Sequence, residues 1–262
     1  MGQQIGDCGI LVLSSDHYRD LWGIFFREFQ RRWPCCGYPV YLGSNTYSES
    51  GVENVTVILS GEDHDWSTSF QKILEQIEET YLLVLLEDLI LVEDVDEETI
   101  QNEFQLMKEK HLHHIQFTNQ LKGDSWCDEQ HMFIDKKAPY RVNVCGFWKK
   151  QTLQNLLICG ESPWNFEIMG SYRSAYMDGF VRSKKYPLKL INLVEKGQFL
   201  PASMRFLQNQ STEVLPSERP SLSGLSYVRS VLASFCFTVI AQIPWQWRVR
   251  VMNFLRKIFI SY

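Results

Sequence analysis

The sequence has no GxxxxGK loop ending in Ser or Thr and no GxGxxG, so the commonest phosphate-cradling and dinucleotide-binding loops are excluded. It also has no GxSxG, which excludes the nucleophile elbow of α/β hydrolases. No CxxC occurs among the 7 cysteines: Cys35 and Cys36 are adjacent, while Cys8, Cys127, Cys145, Cys159 and Cys236 stand alone. An odd number without paired spacing spells out neither a zinc ribbon nor a disulfide framework. The start at Met1-Gly2 shows no basic stretch ahead of an apolar one, and Gly6 stands where a myristoylation signal carries Ser or Thr. These absences predict a cytoplasmic chain with free thiols. The longest uncharged apolar stretch, Ser230 to Ile243, is shorter than the ~20 residues a membrane-crossing helix needs. No internal repeat is visible.

What is present reads as an α/β protein. With 262 residues, 45% of them hydrophobic and 22% charged, the chain can bury a core of its own, and one α/β domain with an appendage is the expectation. Cys8-Gly-Ile-Leu-Val-Leu-Ser14 and Tyr81-Leu-Leu-Val-Leu-Leu86 are continuous apolar runs, as in strands covered on both faces of a parallel sheet. Tyr38–Leu42 and Val55–Leu59 are shorter strands. Helical spacing of Leu21, Trp22, Phe25, Phe26 and Phe29, ended by Pro34, predicts a helix, and Phe70, Ile73, Leu74 and Ile77 predict another from about Ser67. Further helices are expected over 95–111, from Trp148 to Ile158, and over 164–178, with a final strand from Leu188 to Val194. Residues 113–145 read as irregular and β-like.

Open α/β sheets bind ligands at the carboxyl ends of their strands. Two acidic or hydroxylic clusters fall at such ends, and a third lies in the turn that follows the helix expected from Trp148 to Ile158. Glu87-Asp88 closes the most apolar strand, where carboxylates must turn into a loop or hold a cation; a hard divalent ion accepts such oxygens together with substrate phosphates. A plain turn cap is the alternative. Ser14-Ser-Asp16-His-Tyr18 follows the first strand and offers hydroxyl, carboxylate and aromatic groups to a base or ribose, although Ser and Asp there also suit helix capping. Gly160-Glu161-Ser-Pro-Trp164-Asn-Phe-Glu167 sets two acids around a Trp: a carboxylate can take the proton of an acceptor hydroxyl and an indole can pack a sugar face. Glu167 is the expected base and Glu161 its competitor, while Ser162-Pro163 also suits a helix start. Lys196-Gly197, after the last strand, could set a cation beside a diphosphate or simply form a solvated turn. The His111-Leu-His113-His114 cluster and Asp63-His64-Asp65 lack the companions of a metal site.

The net charge of -5 is uneven, for Arg219, Arg229, Arg248, Arg250, Arg256 and Lys257 face one acid, Glu218, after residue 215. A Ser/Pro-rich linker over 208–224 is expected to lead to a basic, amphipathic helical tail over 225–262. Its Pro244-Trp-Gln-Trp-Arg segment suits a membrane surface better than a crossing.

Taken together, Leu11-Val-Leu-Ser-Ser-Asp-His-Tyr18 with Asp20-Leu-Trp22, Trp33-Pro34 with Tyr38–Leu42, Asp65-Trp-Ser67, Leu85-Leu-Glu-Asp88 and Glu161-Ser-Pro-Trp-Asn-Phe-Glu167 resemble a bacterial family of GT-A glycosyltransferases of capsule and O-antigen pathways. The resemblance spans residues 8 to about 205. It implies a GT-A, Rossmann-like domain over 1–207 on a mostly parallel sheet, with a nucleotide-binding half to about 110 and an acceptor half from 111. It also implies a nucleotide-diphosphate sugar donor, a glycan or lipid-linked acceptor, a divalent cation such as Mn or Mg, no nucleic acid, and a peripheral place on the inner face of the cell membrane. By position, Ser14, Asp16 and Tyr18 would meet the nucleotide with Trp66 nearby, Glu87 and Asp88 the metal, and Glu161, Trp164 and Glu167 the sugar and acceptor. Two departures stand out: the acidic motif is Glu-Asp-Leu, not Asp-x-Asp, which makes Asp88 the expected metal ligand, and Thr68 stands where relatives often carry Arg. A catalytically silent assembly protein and a metal-dependent phosphate-ester hydrolase are the competing readings.

Overall fold

Continuous apolar strands alternate with amphipathic helices in the first half of the chain, and the computed structural model assembles them into a nine-stranded sheet. The structure describes residues 6–62, 65–116, 125–184, 186–210, 219–241 and, beyond these, 243–245, 247, 250, 251 and 254. Met1-Gly2, Asp63-His64, residues 211–218 of the expected linker, and Arg248, Arg256 and Lys257 of the basic tail lie outside the described residues.

The strands are β1 (Cys8–Leu13), β2 (Val40–Ser44), β3 (Val55–Leu59), β4 (Tyr81–Leu86), β5 (Leu89–Leu91), β6 (His114–Gln116) and β7 (Ser125–Trp126). They continue as β8 (His131–Phe133), β9 (Gly146–Lys149), β10 (Phe180–Ser183), β11 (Leu190–Asn192), β12 (Val194–Glu195) and β13 (Gln198–Phe199). The helices are α1 (Arg19–Arg32), α2 (Trp66–Glu75), α3 (Glu97–Glu109), α4 (Lys150–Leu156), α5 (Pro163–Arg173), α6 (Pro201–Asn209) and α7 (Gly224–Ala241). The main sheet runs β3-β2-β1-β4-β9-β6-β10-β8-β7. β3, β2, β1 and β4 are mutually parallel, β9 lies antiparallel between β4 and β6, and β6 pairs parallel with β10, so only β9 and β8 oppose the common direction. The fold is α/β on a mostly parallel central sheet.

Both faces are covered, which is why β1 and β4 need no polar alternation. On one side Trp22, Phe25, Phe26 and Phe29 of α1 pack with Phe104 and Met107 of α3 over Ile10, Val12, Leu83 and Leu85. On the other, Phe70, Ile73 and Leu74 of α2 pack with Leu153 of α4 and Phe166 of α5 over Leu11, Leu13, Leu82 and Val84. Alternate residues of the same strand thus enter opposite cores, each large side chain contributing about 1.5–3 kcal/mol on burial.

Several expectations need correction. Trp148 lies in β9, not in a helix, because Gly146-Phe-Trp-Lys pairs with β4 and β6 and the helix begins only at Lys150. Within the irregular stretch 113–145, short strands form at His114–Gln116, Ser125–Trp126 and His131–Phe133, while buried Arg141 donates to the carbonyls of Ile134, Ser174 and Met177 and holds Tyr140–Cys145 as a packed loop. The single strand expected over Leu188–Val194 is broken into β11, paired with β5, and β12, paired with β13. The break is at Leu193, whose N–H donates to the Asp88 carbonyl at 2.6 Å. The described end of the expected linker is anchored: Phe199 N–H donates to Pro220 O, Leu222 N–H donates to Phe199 O, and Leu222 is buried.

α7 carries a single charged residue, Arg229, and exposes Leu225, Val228, Leu232, Phe235 and Val239. Its exposed apolar side chains recur at three- and four-residue spacing along one stripe. Among the described residues no helix is long and apolar enough to cross a membrane.

One buried cluster secures the far edge of the sheet. His131 of β8 offers Nε2 to Glu103 of α3 at 2.9 Å and Nδ1 to Asp128 at 2.8 Å, and Ser183 of β10 donates to the other Glu103 oxygen at 2.9 Å. Burial works to lower the His131 pKa, but the two carboxylates outweigh it and raise it above the usual value. A raised histidine pKa contributes stability that is complete below the unfolded value near 6.5 and is lost as pH rises through the folded one. His131→Ala should therefore cost roughly 3 kcal/mol at pH 6, by leaving Glu103 buried without its partner, and progressively less at higher pH. Urea unfolding midpoints at pH 6 and pH 9 measure it; an equal loss at both would count against a charged His131.

Candidate active site

Strand register builds the site. Leu13 pairs with Leu86, so the next residues of each strand, Ser14 and Glu87, leave the sheet side by side. Leu13 also pairs with Gly43, which brings the loop after β2 to the same end. Ser14 Oγ accepts from Trp22 Nε1 at 2.8 Å and faces the Glu87 carboxyl. Glu87 is buried, and burial together with the Asp88 charge pushes its pKa well above the ordinary range. Asp88 is half-buried; burial lifts it to about 6 against the opposing effects of its own backbone and of Arg219. Tyr18 stands beside both acids, its hydroxyl pKa raised first by burial and then by the Glu87 charge.

Asp16 has a different task. It accepts from Ser44 Oγ at 2.6 Å, from Thr46 Oγ1 at 2.5 Å, and from the N–H groups of Asn45, Thr46 and Tyr47. Partial burial would raise its pKa, but these hydrogen bonds outweigh that and hold it at about 2. An ionised Asp16 thereby ties the turn after β1 to residues 44–47 after β2.

The third acidic cluster reaches the same end of the sheet through β9. Antiparallel pairing of Val84 with Gly146 carries Val144 and Cys145 alongside the end of β4. Gly146 is required at this turn: at φ +153 a Cβ would lie 2.7 Å from the carbonyl oxygen of Ile115. α5, capped by Ser162 accepting from Asn165 N–H and opened by Pro163, then presents Glu167, whose Oε1 accepts from Val144 N–H at 3.2 Å. Burial lifts Glu167 to about 7. The Cys145 thiol is buried, and burial, then the charges of Asp88 and Glu167, push its pKa upward.

The other expected site residues have these surroundings. Glu161 is held by Arg173 in a two-pronged ion pair, at 2.8 and 2.7 Å, and Arg173 also donates to Leu156 O. Trp66 packs its ring against Phe70 and Phe166, with centroids 5.4 and 5.6 Å away. Its neighbours brace the turn before α5: Asp65 caps α2 through Thr68 N–H and accepts from Gly160 N–H, and Ser67 Oγ accepts from Glu161 N–H. Trp164 stands on the outer side of α5, 75% exposed. Lys196 is exposed at the turn between β12 and β13, where it and Gly197 take positive φ values of 50 and 75 degrees.

Arg219, which the sequence shows only as one of the basic residues after 215, is brought by the fold to the turn after β1. It donates Nε and Nη2 to the Asp20 carboxylate at 2.6 and 2.9 Å and Nη2 to His17 O at 2.6 Å, with its guanidinium 4.6 Å from the centre of the Tyr18 ring. Its charge acts on both Glu87 and Asp88.

Among the described residues no three His, Cys, Asp or Glu side chains gather into a ready-made ion cage. The donor set fits an ion held by one or two carboxylates, with phosphate oxygens completing the shell.

No family model and no curated protein matches the chain. Similar solved structures include S. aureus TarS 1–349 in complex with UDP-GlcNAc, at 12% identity and a TM-score of 0.44, covering 63% of this chain and 53% of that one. TarS 1–349 without that ligand gives 12% identity and 0.47, covering 68% and 57%. A UDP-glucose pyrophosphorylase complexed with UDP-glucose gives 10% and 0.45, covering 70% and 91%. This chain spans a little over half the length of the TarS 1–349 structures it matches, and the likeness is a loose one of fold alone.

Proposed function

We propose that the chain is a GT-A-type glycosyltransferase that moves a sugar from a nucleoside-diphosphate donor to a hydroxyl of a glycan acceptor in surface-polysaccharide synthesis. The observation that carries this reading is the meeting of two unlike acids at one end of the sheet: Asp88, beside buried Glu87, and Glu167, lifted by burial to about 7. A carboxylate with that pKa is suited to take a proton near neutral pH. In this reading the acceptor oxygen attacks the anomeric carbon as the bond to the diphosphate breaks, the electron pair leaves with the diphosphate, and the acceptor proton passes to Glu167. Such a displacement inverts the anomeric centre. Glu161 does not compete, because Arg173 engages both of its oxygens. Ser14 and Tyr18 border the donor, and Asp16 shapes the loop beneath it. A divalent ion such as Mn or Mg would be held by Asp88 and the donor phosphates and would neutralise charge on the leaving group. The test is a transfer assay with UDP, GDP and CMP sugars and mixed glycan acceptors. Acceptor-dependent release of nucleotide supports the reading; phosphate release from simple esters without any acceptor would favour a hydrolase instead.

We further infer that the acceptor is lipid-linked and that α7 rests on the inner face of the cell membrane. The support is the exposed stripe from Leu225 to Val239, followed by exposed Trp247 with Arg250 5.3 Å from its ring. Aromatic and cationic side chains beside an apolar helix suit the headgroup layer. Removing residues 225–262 should shift the protein from sedimenting with anionic vesicles to remaining in the supernatant, with activity on a soluble acceptor retained. Unchanged sedimentation would contradict this placement.

A further inference from the structure

The described end of the expected linker brings a guanidinium, paired with Asp20, to the end of the sheet where the acids lie. Phe199 holds Pro220 and Leu222 by backbone hydrogen bonds, so Arg219 is delivered to the β1 end by a fixed strap, not by a loose tail. Asp20 grips it from one side with two hydrogen bonds, His17 O adds a third, and Tyr18 lies across its face. Asp20 of α1, with His17 and Tyr18 of the turn before it, thus fixes one guanidinium at the end of β1, whose next residue, Ser14, leaves the sheet beside Glu87. A simple surface ion pair would not need that much support, being worth ~0–1 kcal/mol.

We propose that Arg219 binds the diphosphate of the donor and stabilises it as it leaves; this rests on the nucleotide-sugar reading above and adds a binding residue to it. The chemistry follows from charge. A nucleoside diphosphate approaching Asp88 brings negative charge to a place already holding two acids, and it needs cations on the protein side as well as any bound ion. A guanidinium is suited to the task because it stays charged at every relevant pH and carries further N–H donors on Nη1 while Asp20 and His17 O hold its Nε and Nη2. Asp20 and His17 O, by fixing the guanidinium in advance, remove much of the ordering cost of that contact. Arg219 therefore closes the donor site from a segment 199 residues away from its Asp20 partner in the chain.

The experiment is calorimetric titration of the full chain with UDP, UMP and uridine, and with GDP, GMP and guanosine in parallel, comparing wild type with Arg219→Gln and Arg219→Lys. The assignment predicts that Arg219→Gln weakens the preferred diphosphate tenfold or more, the monophosphate less, and the nucleoside less than twofold. Arg219→Lys, which keeps the charge but loses the planar guanidinium and its two-point hold on Asp20, should fall between. Equal weakening of all three ligands, or none, would reduce Arg219 to a structural tie and overturn the assignment. If Arg219→Gln does not fold, the lysine variant decides by the same ratios. If wild type binds no nucleoside diphosphate, the nucleotide-sugar reading itself falls, and this assignment with it.

Discussion

Glu167→Gln is expected to lower the turnover number of sugar transfer by about 10²–10⁴, the range over which a positioned general base acts. Donor affinity should stay within twofold, because Glu167 hydrogen-bonds to Val144 of the loop before β9 and not to the acids that end β4. The wild-type rate should rise with pH through about 7, since only the ionised carboxylate can take a proton and burial holds Glu167 at about 7. Stability should move the other way. An acid raised from its usual 4.5 to about 7 leaves the folded state more protonated than the unfolded one between those values. Its contribution is therefore complete below pH 4.5 and is lost as pH rises through 7. The glutamine variant, free of that penalty, should be more stable than wild type at pH 8, by up to roughly 3 kcal/mol, and no more stable at pH 4.5. Initial rates across pH 5.5–9 and thermal unfolding at both ends test the two halves. A variant that is less stable at pH 8, or that keeps full activity, would remove Glu167 from the role of base.

Asp88→Asn is expected to act on the donor. Replacing the half-buried carboxylate with an amide of equal size should leave the backbone link from Leu193 N–H to the residue 88 carbonyl intact, so unfolding should be nearly unchanged. Transfer efficiency should fall about a hundredfold to a thousandfold, as charge stabilisation at the leaving group is lost. Donor binding should also lose any response to Mn or Mg. These outcomes separate Asp88 from Glu167, one failing in donor affinity and the other in turnover. Measuring KM and kcat for both variants makes the distinction, and a pair of variants with identical defects would contradict the division of roles.

Much of this architecture is legible in the sequence because long apolar strands and helical aromatic spacing are local signals. β1 and β4 stand out as uninterrupted runs, and the acids that end β4 follow from the rule that ligands collect at strand ends. What the sequence hides is non-local or short. β9 has four residues next to the start of α4, too few for alternation to show, and its antiparallel place between β4 and β6 is what carries Cys145 and Glu167 toward Asp88. Glu161 and Glu167 look alike as letters six positions apart; only the side chain of Arg173, which meets one and not the other, tells them apart. Asp16 and Trp66 suit a nucleotide by composition, yet the fold turns the first onto the loop at 44–47 and the second into the packing of Phe70 and Phe166. Arg219 carries no local signal, for it stands in a Ser- and Pro-rich stretch and acquires meaning only through its contacts with Asp20 and Tyr18.

The most direct test of the central claim, that the acids after β4 form a nucleotide-sugar site, is equilibrium binding of UDP, GDP and CMP sugars to wild type and Asp88→Asn, each with Mn and with chelator. Wild type should bind one donor class saturably and more tightly with Mn, and the variant weakly and without regard to Mn. Absence of saturable binding by wild type, or binding that the Asp88 change leaves untouched, would contradict that claim.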